Sequence, residues 1–191
     1  MRGNPSEAAM TAEGAISLAL AGNEHADRIG RALNHLIQRQ HPDGTFELSW
    51  SRSHASAIFR SVRALRLARS LELTNVRPAA SRAVERSTDL LRATQNPDGG
   101  WGHLPGSASD EVSTAFSLIA LTIAAPAAHR EAVARGIRYL ASRQLPDGAF
   151  DCPTDEVGPR PIPYNVPHGS LGFVLTGLNF VASRGRTPHF A

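Results

Sequence analysis

The feature that most constrains this chain is a turn it spells three times: Gln40-His41-Pro42-Asp43-Gly44-Thr45-Phe46, Gln95-Asn96-Pro97-Asp98-Gly99-Gly100-Trp101 and Gln144-Leu145-Pro146-Asp147-Gly148-Ala149-Phe150. Each copy reads Gln-x-Pro-Asp-Gly-x-aromatic. The register extends upstream: Arg31, Arg86 and Arg135 stand nine residues before the glutamines, and Leu36, Leu91 and Leu140 stand four before. Four residues is about one helical turn, so leucine and glutamine share a face at a helix end. Pro-Asp-Gly then stops the helix, with glycine free to take a positive φ. Self-similarity at a period of roughly fifty residues marks stacked supersecondary units.

The stretches between the turns carry helical periodicity. They predict seven helices, over residues 6–21, 24–40, 52–70, 78–95, 110–125, 127–144 and 168–183, with Ser6 capping the first and Pro78 opening the fourth. The second, fourth and sixth are amphipathic and end in the repeat glutamine, which suits an outer layer. The first, third, fifth and seventh are expected to form an inner layer. The fifth is apolar almost all round, with Val112, Phe116, Ile119 and Ile123 on one face and Leu118 and Leu121 on another, so it should be buried on both sides. The third sets Ile58, Val62 and Leu65 against a basic side of Arg60, Arg63, Arg66 and Arg69. The longest loop, residues 150–167, carries five prolines.

Composition narrows the classes. By its 191 residues the chain reads as one domain, 1–191, with a proper core. The formal charge is only +3, all twenty basic residues are arginine, and no basic run is interleaved with aromatics, so nucleic acid is not an expected partner. A single cysteine, Cys152, excludes an intrachain disulfide and makes a reducing cytoplasm the default location. The N-terminus lacks a secretory apolar core, and no stretch is long enough to span a bilayer.

The repeat resembles the QW motif of the squalene-hopene and oxidosqualene cyclases: a basic residue, a small one, an aromatic, an aliphatic, glutamine, then Gly-x-Trp. The third copy matches with Arg135, Gly136, Tyr139, Leu140, Gln144 and Gly148, and has Phe150 in the tryptophan place. The second matches with Arg86, Leu91, Gln95, Gly99 or Gly100, and Trp101. The resemblance runs from about Arg28 to Ser183. It implies an all-α fold, a partial α/α toroid of about seven helices in inner and outer layers, as in class II diterpene cyclases and protein prenyltransferase β subunits. Seven helices make little more than half of such a ring, so a homodimer, or a partner chain covering the inner helices, is expected.

In a toroid the N-termini of the inner helices gather at one mouth, where their dipoles favour anions. His54, Asp110, Glu111 and His168 occupy those positions. Class II terpene cyclases protonate their substrate with Asp-x-Asp-Asp followed by Thr-Ala. The similar stretch here is Asp110-Glu111-Val112-Ser113-Thr114-Ala115, with Val112 and Ser113 in the places of the two central acids. By that resemblance Asp110 or Glu111 is the acid, and His168 or His54 its partner or the deprotonating base. The prenyltransferase zinc pattern is broken, because Val112 stands where its cysteine would be and Asp151-Cys152 is adjacent rather than spaced. No metal and no cofactor are expected. Trp101, Phe116, Tyr164 and Phe173 are candidates to line an apolar pocket and stabilise a carbocation, and Arg60 and Arg63 to hold a diphosphate.

Two readings follow. In the first, the chain is a small terpene cyclase- or prenyltransferase-like domain acting on, or binding, an apolar isoprenoid in a helical cleft. In the second it is a non-catalytic α/α-toroid module that binds a ligand, dimerises or completes a partner's ring. A third, a sugar lyase or hydrolase using carboxyls such as Asp110 and Asp155, rests on less. No Ser-His-Asp spacing, P-loop or dinucleotide fingerprint occurs.

Overall fold

The computed structural model describes residues 6–48, 50–153, 155–157, 163–164 and 166–183. Eight α-helices follow one another: α1 (Ala8–Ala21), α2 (Ala26–Arg39), α3 (His54–Leu65), α4 (Leu67–Ser70), α5 (Arg77–Ala93), α6 (Glu111–Ala124), α7 (Arg130–Arg143) and α8 (Pro167–Ala182). A 3-10 turn, Asn23–His25, precedes α2. The inner layer is a row in which α1 packs on α3, α3 on α6 and α6 on α8. Outside it, α2 lies against α1, α5 against α3 and α6, and α7 against α6. The all-α partial toroid in two layers is therefore what forms. Among the described residues, no helix is long and apolar enough to cross a membrane.

Three local features differ from the sequence expectation. The expected third helix is two: the chain turns at Arg66, and α4 continues for only four residues. Ser6 does not cap α1. Its carbonyl lies 3.1 Å from His35 Nε2 instead, and Glu7 occupies the cap position without a side-chain capping bond to the helix. The proline-rich loop holds a minimal antiparallel ribbon, β1 (Glu156–Val157) with β2 (Pro163–Tyr164). At Ser6 the contact comes from a distant helix, which periodicity does not encode.

The core follows the layers. Val112, Leu118, Ile119 and Leu121 of α6 are fully buried, as a helix with neighbours on both sides requires. On α8, a Cβ at Gly177 would come within 2.9 Å of Ala115 Cβ, so glycine is what lets α8 lie this close to α6. The repeats stack through their turns. Gln40 Nε2 donates to Ala83 O at 2.8 Å and Ser87 Oγ at 2.9 Å on the next outer helix, and Arg86 Nε returns a bond to Gln40 Oε1 at 3.0 Å. Gln95 Nε2 donates to Ala132 O on α7 at 2.8 Å, and Arg135 Nη2 donates to Asn96 O at 2.8 Å. The first and second turns are thus each clamped by the arginine of the following repeat. The turn glycines need φ of +93° at Gly44 and +92° at Gly99, and a Cβ there would meet the carbonyls of Arg86 and Arg135.

Candidate functional site

Where the second turn passes into α6, the chain closes a loop on itself. Asp110 N donates to Trp101 O at 2.9 Å, and Trp101 N donates to Thr114 Oγ1 at 3.0 Å. The residues between are displayed as a loop, and His54 N, at the start of α3, donates to His103 O at 2.9 Å and pins it. From the far end of the chain, Asp155 O accepts from Arg52 N at 2.9 Å. Three side chains from three separate segments converge in consequence. His103 Nδ1 lies 2.8 Å from Asp110 Oδ2, and His103 Nε2 lies 3.5 Å from Asp155 Oδ1.

Each carboxylate is also held by a second group, Asp110 from its own helix and Asp155 from a distant segment. Asp110 Oδ1 accepts from Ser113 N at 2.6 Å and caps α6. Asp155 Oδ1 accepts from Ser51 Oγ at 2.9 Å. The second oxygens are different: Asp110 Oδ2 and Asp155 Oδ2 are buried without an aligned hydrogen-bond donor, among the described residues. Of the two His103 contacts the one with Asp110 is the closer, and both favour the charged ring. The Asp110 carboxylate, with Asp155 behind it, holds the His103 ring above the usual histidine range despite its burial. Asp155 is only 3% exposed, and burial pushes its carboxyl above the usual carboxylate range, outweighing Ser51 and His103.

Beside this cluster lies a cleft of about 290 Å³ between α1, α3, α6 and α8, at the lower end of the size range of small-molecule sites. Asp155, Ser51, Trp50, Arg60, Phe116 and Phe173 are in its walls. Phe116 stacks on Phe59 at 4.9 Å between centroids and meets Phe173 edge-on, also at 4.9 Å. The Arg60 guanidinium sits 4.6 Å above the Phe59 ring, bonds Ser56 and lies 3.4 Å from Glu13. The cleft therefore presents a desolvated carboxyl, aromatic faces, and one cation already matched by an acid.

The residues singled out from sequence are distributed unevenly around it. Phe116, Phe173 and Arg60 line the cleft, and Arg63 reaches Glu13 at 4.0 Å from the same helix. Asp110 is one step back, behind His103. Glu111, 2% exposed, turns away from the cleft to Arg143 at 2.8 Å. His54 is half-buried at the start of α3, its Nδ1 without a partner, and burial lowers its pKa. With Trp101 and His103 it borders a crevice of about 20 Å³. His168 is exposed in the first turn of α8. Trp101 is 2% exposed in the core, donating Nε1–H to Leu91 O at 2.7 Å. Tyr164 belongs to β2, but its side chain lies outside the described residues.

Two of the convergent groups were not legible as a site. His103 carries no periodic signal, although it follows the repeat tryptophan in a loop that leads to Asp110. Asp155, read from sequence only as a carboxyl for sugar chemistry, sits in the proline-rich loop, and nothing local marks it as buried.

Residues 3–159 match the family model of the squalene-hopene cyclase C-terminal domain. The chain is 42% identical over 183 residues to drimenyl diphosphate synthase of Streptomyces showdoensis, and 43% identical over 178 residues to that of Streptantibioticus cattleyicolor. Each alignment covers 93% of this chain and 33% of the relative. Squalene–hopene cyclase of Zymomonas mobilis is 28% identical over 145 residues, 70% of this chain and 21% of the relative. Among solved structures, ent-copalyl diphosphate synthase from Streptomyces platensis superposes with a TM-score of 0.70 at 18% identity, over 97% of this chain and 34% of that one, which speaks to the fold alone. The chain spans about a third of the length of the curated relatives it matches first.

Proposed function

The chain belongs to the squalene-hopene cyclase C-terminal domain family, and from that premise we propose that it is a terpene-cyclase module in which Asp155 protonates an apolar isoprenoid in the cleft. The observation that carries this reading is the second oxygen of Asp155, buried and, among the described residues, without a hydrogen-bond donor, in a carboxyl whose acidity burial has weakened, on the wall of an aromatic cleft. Protonating an alkene needs a carboxyl that still holds its proton near neutral pH in a site free of bulk water. As the O–H proton passes to an alkene carbon, the π bond breaks and a carbocation and a carboxylate are left. The His103 ring, 3.5 Å from Asp155, stabilises that carboxylate, and Asp110 favours the ring's charged form and holds it in place. The carbocation is left facing Phe116 and Phe173, whose π-faces attract it.

In this reading Asp110 and His103 are positioning groups, and the acid has moved to another loop from the place the family's motif implies. Incubating the protein with farnesyl or geranylgeranyl diphosphate, removing the phosphates and analysing the alcohols by gas chromatography and mass spectrometry tests it. The wild type should give a cyclised product, and Asp155→Asn should give none while its thermal unfolding stays close to wild type. A product formed at an unchanged rate by Asp155→Asn would end the proposal.

A second reading, a binding module without turnover, is favoured by one observation. Val112 and Ser113 are fully buried where the motif's central acids would stand, and the Ser113 hydroxyl is spent on Ser53 Oγ at 2.9 Å. Saturable binding of the same diphosphates with no new product from the wild type would select that reading.

A further inference from the structure

Toward the other ends of α3 and α6, a second cavity of about 330 Å³ opens between α4, α5 and the turn from α6 to α7. Its charged and ionisable lining is Arg66, Arg69, Arg77, Glu85, Asp89 and His129. It shares no lining residue with the cleft. Along α6 the cleft residue Phe116 and the cavity residue Ala124 are separated by about 12 Å of helix rise. Val62, Ala120 and Leu121, on α3 and α6, are fully buried.

Two unmet demands meet in this cavity. Among the described residues, none of the guanidiniums of Arg66, Arg69 and Arg77 is paired with a carboxylate, although Glu85 and Asp89 are near. Asp89 is taken by Arg92 at 3.4 Å on the surface. Arg66 is half-buried, and both its burial and the neighbouring Arg69 disfavour its charge. A guanidinium does not shed its proton to escape that cost, so the cost stands until a counter-ion arrives. His129 is the second demand: it is 8% exposed, and among the described residues its Nδ1 has no hydrogen-bond partner. One object satisfies both, a compact anion with several acceptor oxygens. Glu85 and Asp89 lower the net charge of the lining, so it does not suit a long polyanion.

We propose that this cavity is a second ligand site, for a phosphate-type oxyanion, held by Arg66, Arg69 and Arg77 with His129 as a further donor. The proposal does not depend on the chemistry of the cleft. The anion is either free phosphate or diphosphate, or the head group of an isoprenoid diphosphate whose tail lies elsewhere.

Isothermal titration of the whole chain with inorganic phosphate and with pyrophosphate, in a buffer free of other oxyanions, tests it. Saturable one-site binding of pyrophosphate is expected, with a shift of the His129 ring resonances. Arg69→Gln, on the exposed rim, and Arg66→Gln should each weaken binding about tenfold, the loss of one charge-assisted hydrogen bond, with circular dichroism unchanged. Titrating farnesyl diphosphate against the same variants separates the sources. An affinity insensitive to both arginines assigns the site to the free anion, and an equal loss assigns it to the head group. Absence of pyrophosphate binding, or binding that neither substitution weakens in a folded protein, overturns the proposal.

Discussion

At the second repeat, Gln95 Nε2 donates to Gly99 O and to Ala132 O, both at 2.8 Å; at the third, Gln144 Nε2 donates to Gly148 O at 3.1 Å and, among the described residues, to no other helix. Within each turn the geometry is the same. Asp98 Oδ1 accepts from Gly100 N at 2.9 Å, and Asp147 Oδ1 accepts from Ala149 N at 3.0 Å. The paired backbone bonds are 3.0 and 2.9 Å in the second turn and 2.9 and 2.8 Å in the third. The glycines have φ of +92° and +84°. What differs is the surroundings. Gly99, Gly100 and Trp101 are buried under α7, whereas residues 145–148 are exposed and Phe150 is half-buried. Turn chemistry is thus local and repeats wherever Pro-Asp-Gly occurs, while its contribution to stability depends on the helix that follows.

Pairwise substitutions at the two turns test that division by urea unfolding. The aromatic positions should differ most. Trp101→Ala removes a core side chain, opens a cavity against Gly136, whose Cβ position lies 2.9 Å from the indole, and leaves Leu91 O unpaired. It should cost about 3–5 kcal/mol, and Phe150→Ala about 1 kcal/mol. Equal losses would mean that the third turn is as deeply built in as the second.

The glycines come next. Gly148→Ala meets only the backbone strain of a positive φ and should cost about 1–2 kcal/mol. Gly99→Ala adds a Cβ at 2.7 Å from Arg135 O, a backbone atom that cannot turn aside, and should cost about 3 kcal/mol. A Gly99→Ala protein no weaker than Gly148→Ala would show that α7 gives way easily.

The glutamines should show the smallest effect. Gln95→Ala leaves the carbonyls of Gly99 and Ala132 without that donor and should cost about 1–2 kcal/mol. Gln144→Ala, at an exposed site, should fall within about 0.5 kcal/mol of wild type. If the two were indistinguishable, the clamp between neighbouring outer helices would contribute little.

The same division separates what was legible at the cleft from what was not. Phe116, Phe173 and Arg60 were found because they lie on helices, where a period assigns a face before any partner is known. His103 and Asp155 lie in loops, where no period applies. Their meeting depends on three backbone bonds: two join distant segments, His54 to His103 and Arg52 to Asp155, and one, Asp110 to Trp101, closes the loop that carries His103. Glu111 shows the converse. The motif resemblance made it, with Asp110, a candidate acid, but one position along a helix is a rotation of about 100°, and that turns its carboxylate away to Arg143.

Local sequence by itself determined the three turns, the helices that end in them and the division into an amphipathic outer and an apolar inner layer. The forces responsible, turn stereochemistry and apolar periodicity, act over a few residues. Only the tertiary structure decided which carboxyl is desolvated on the wall of the cleft, which turn is clamped and which arginines are left without a counter-ion. Those outcomes depend on burial and on charges brought together from distant parts of the chain, and neither is a property of any short stretch.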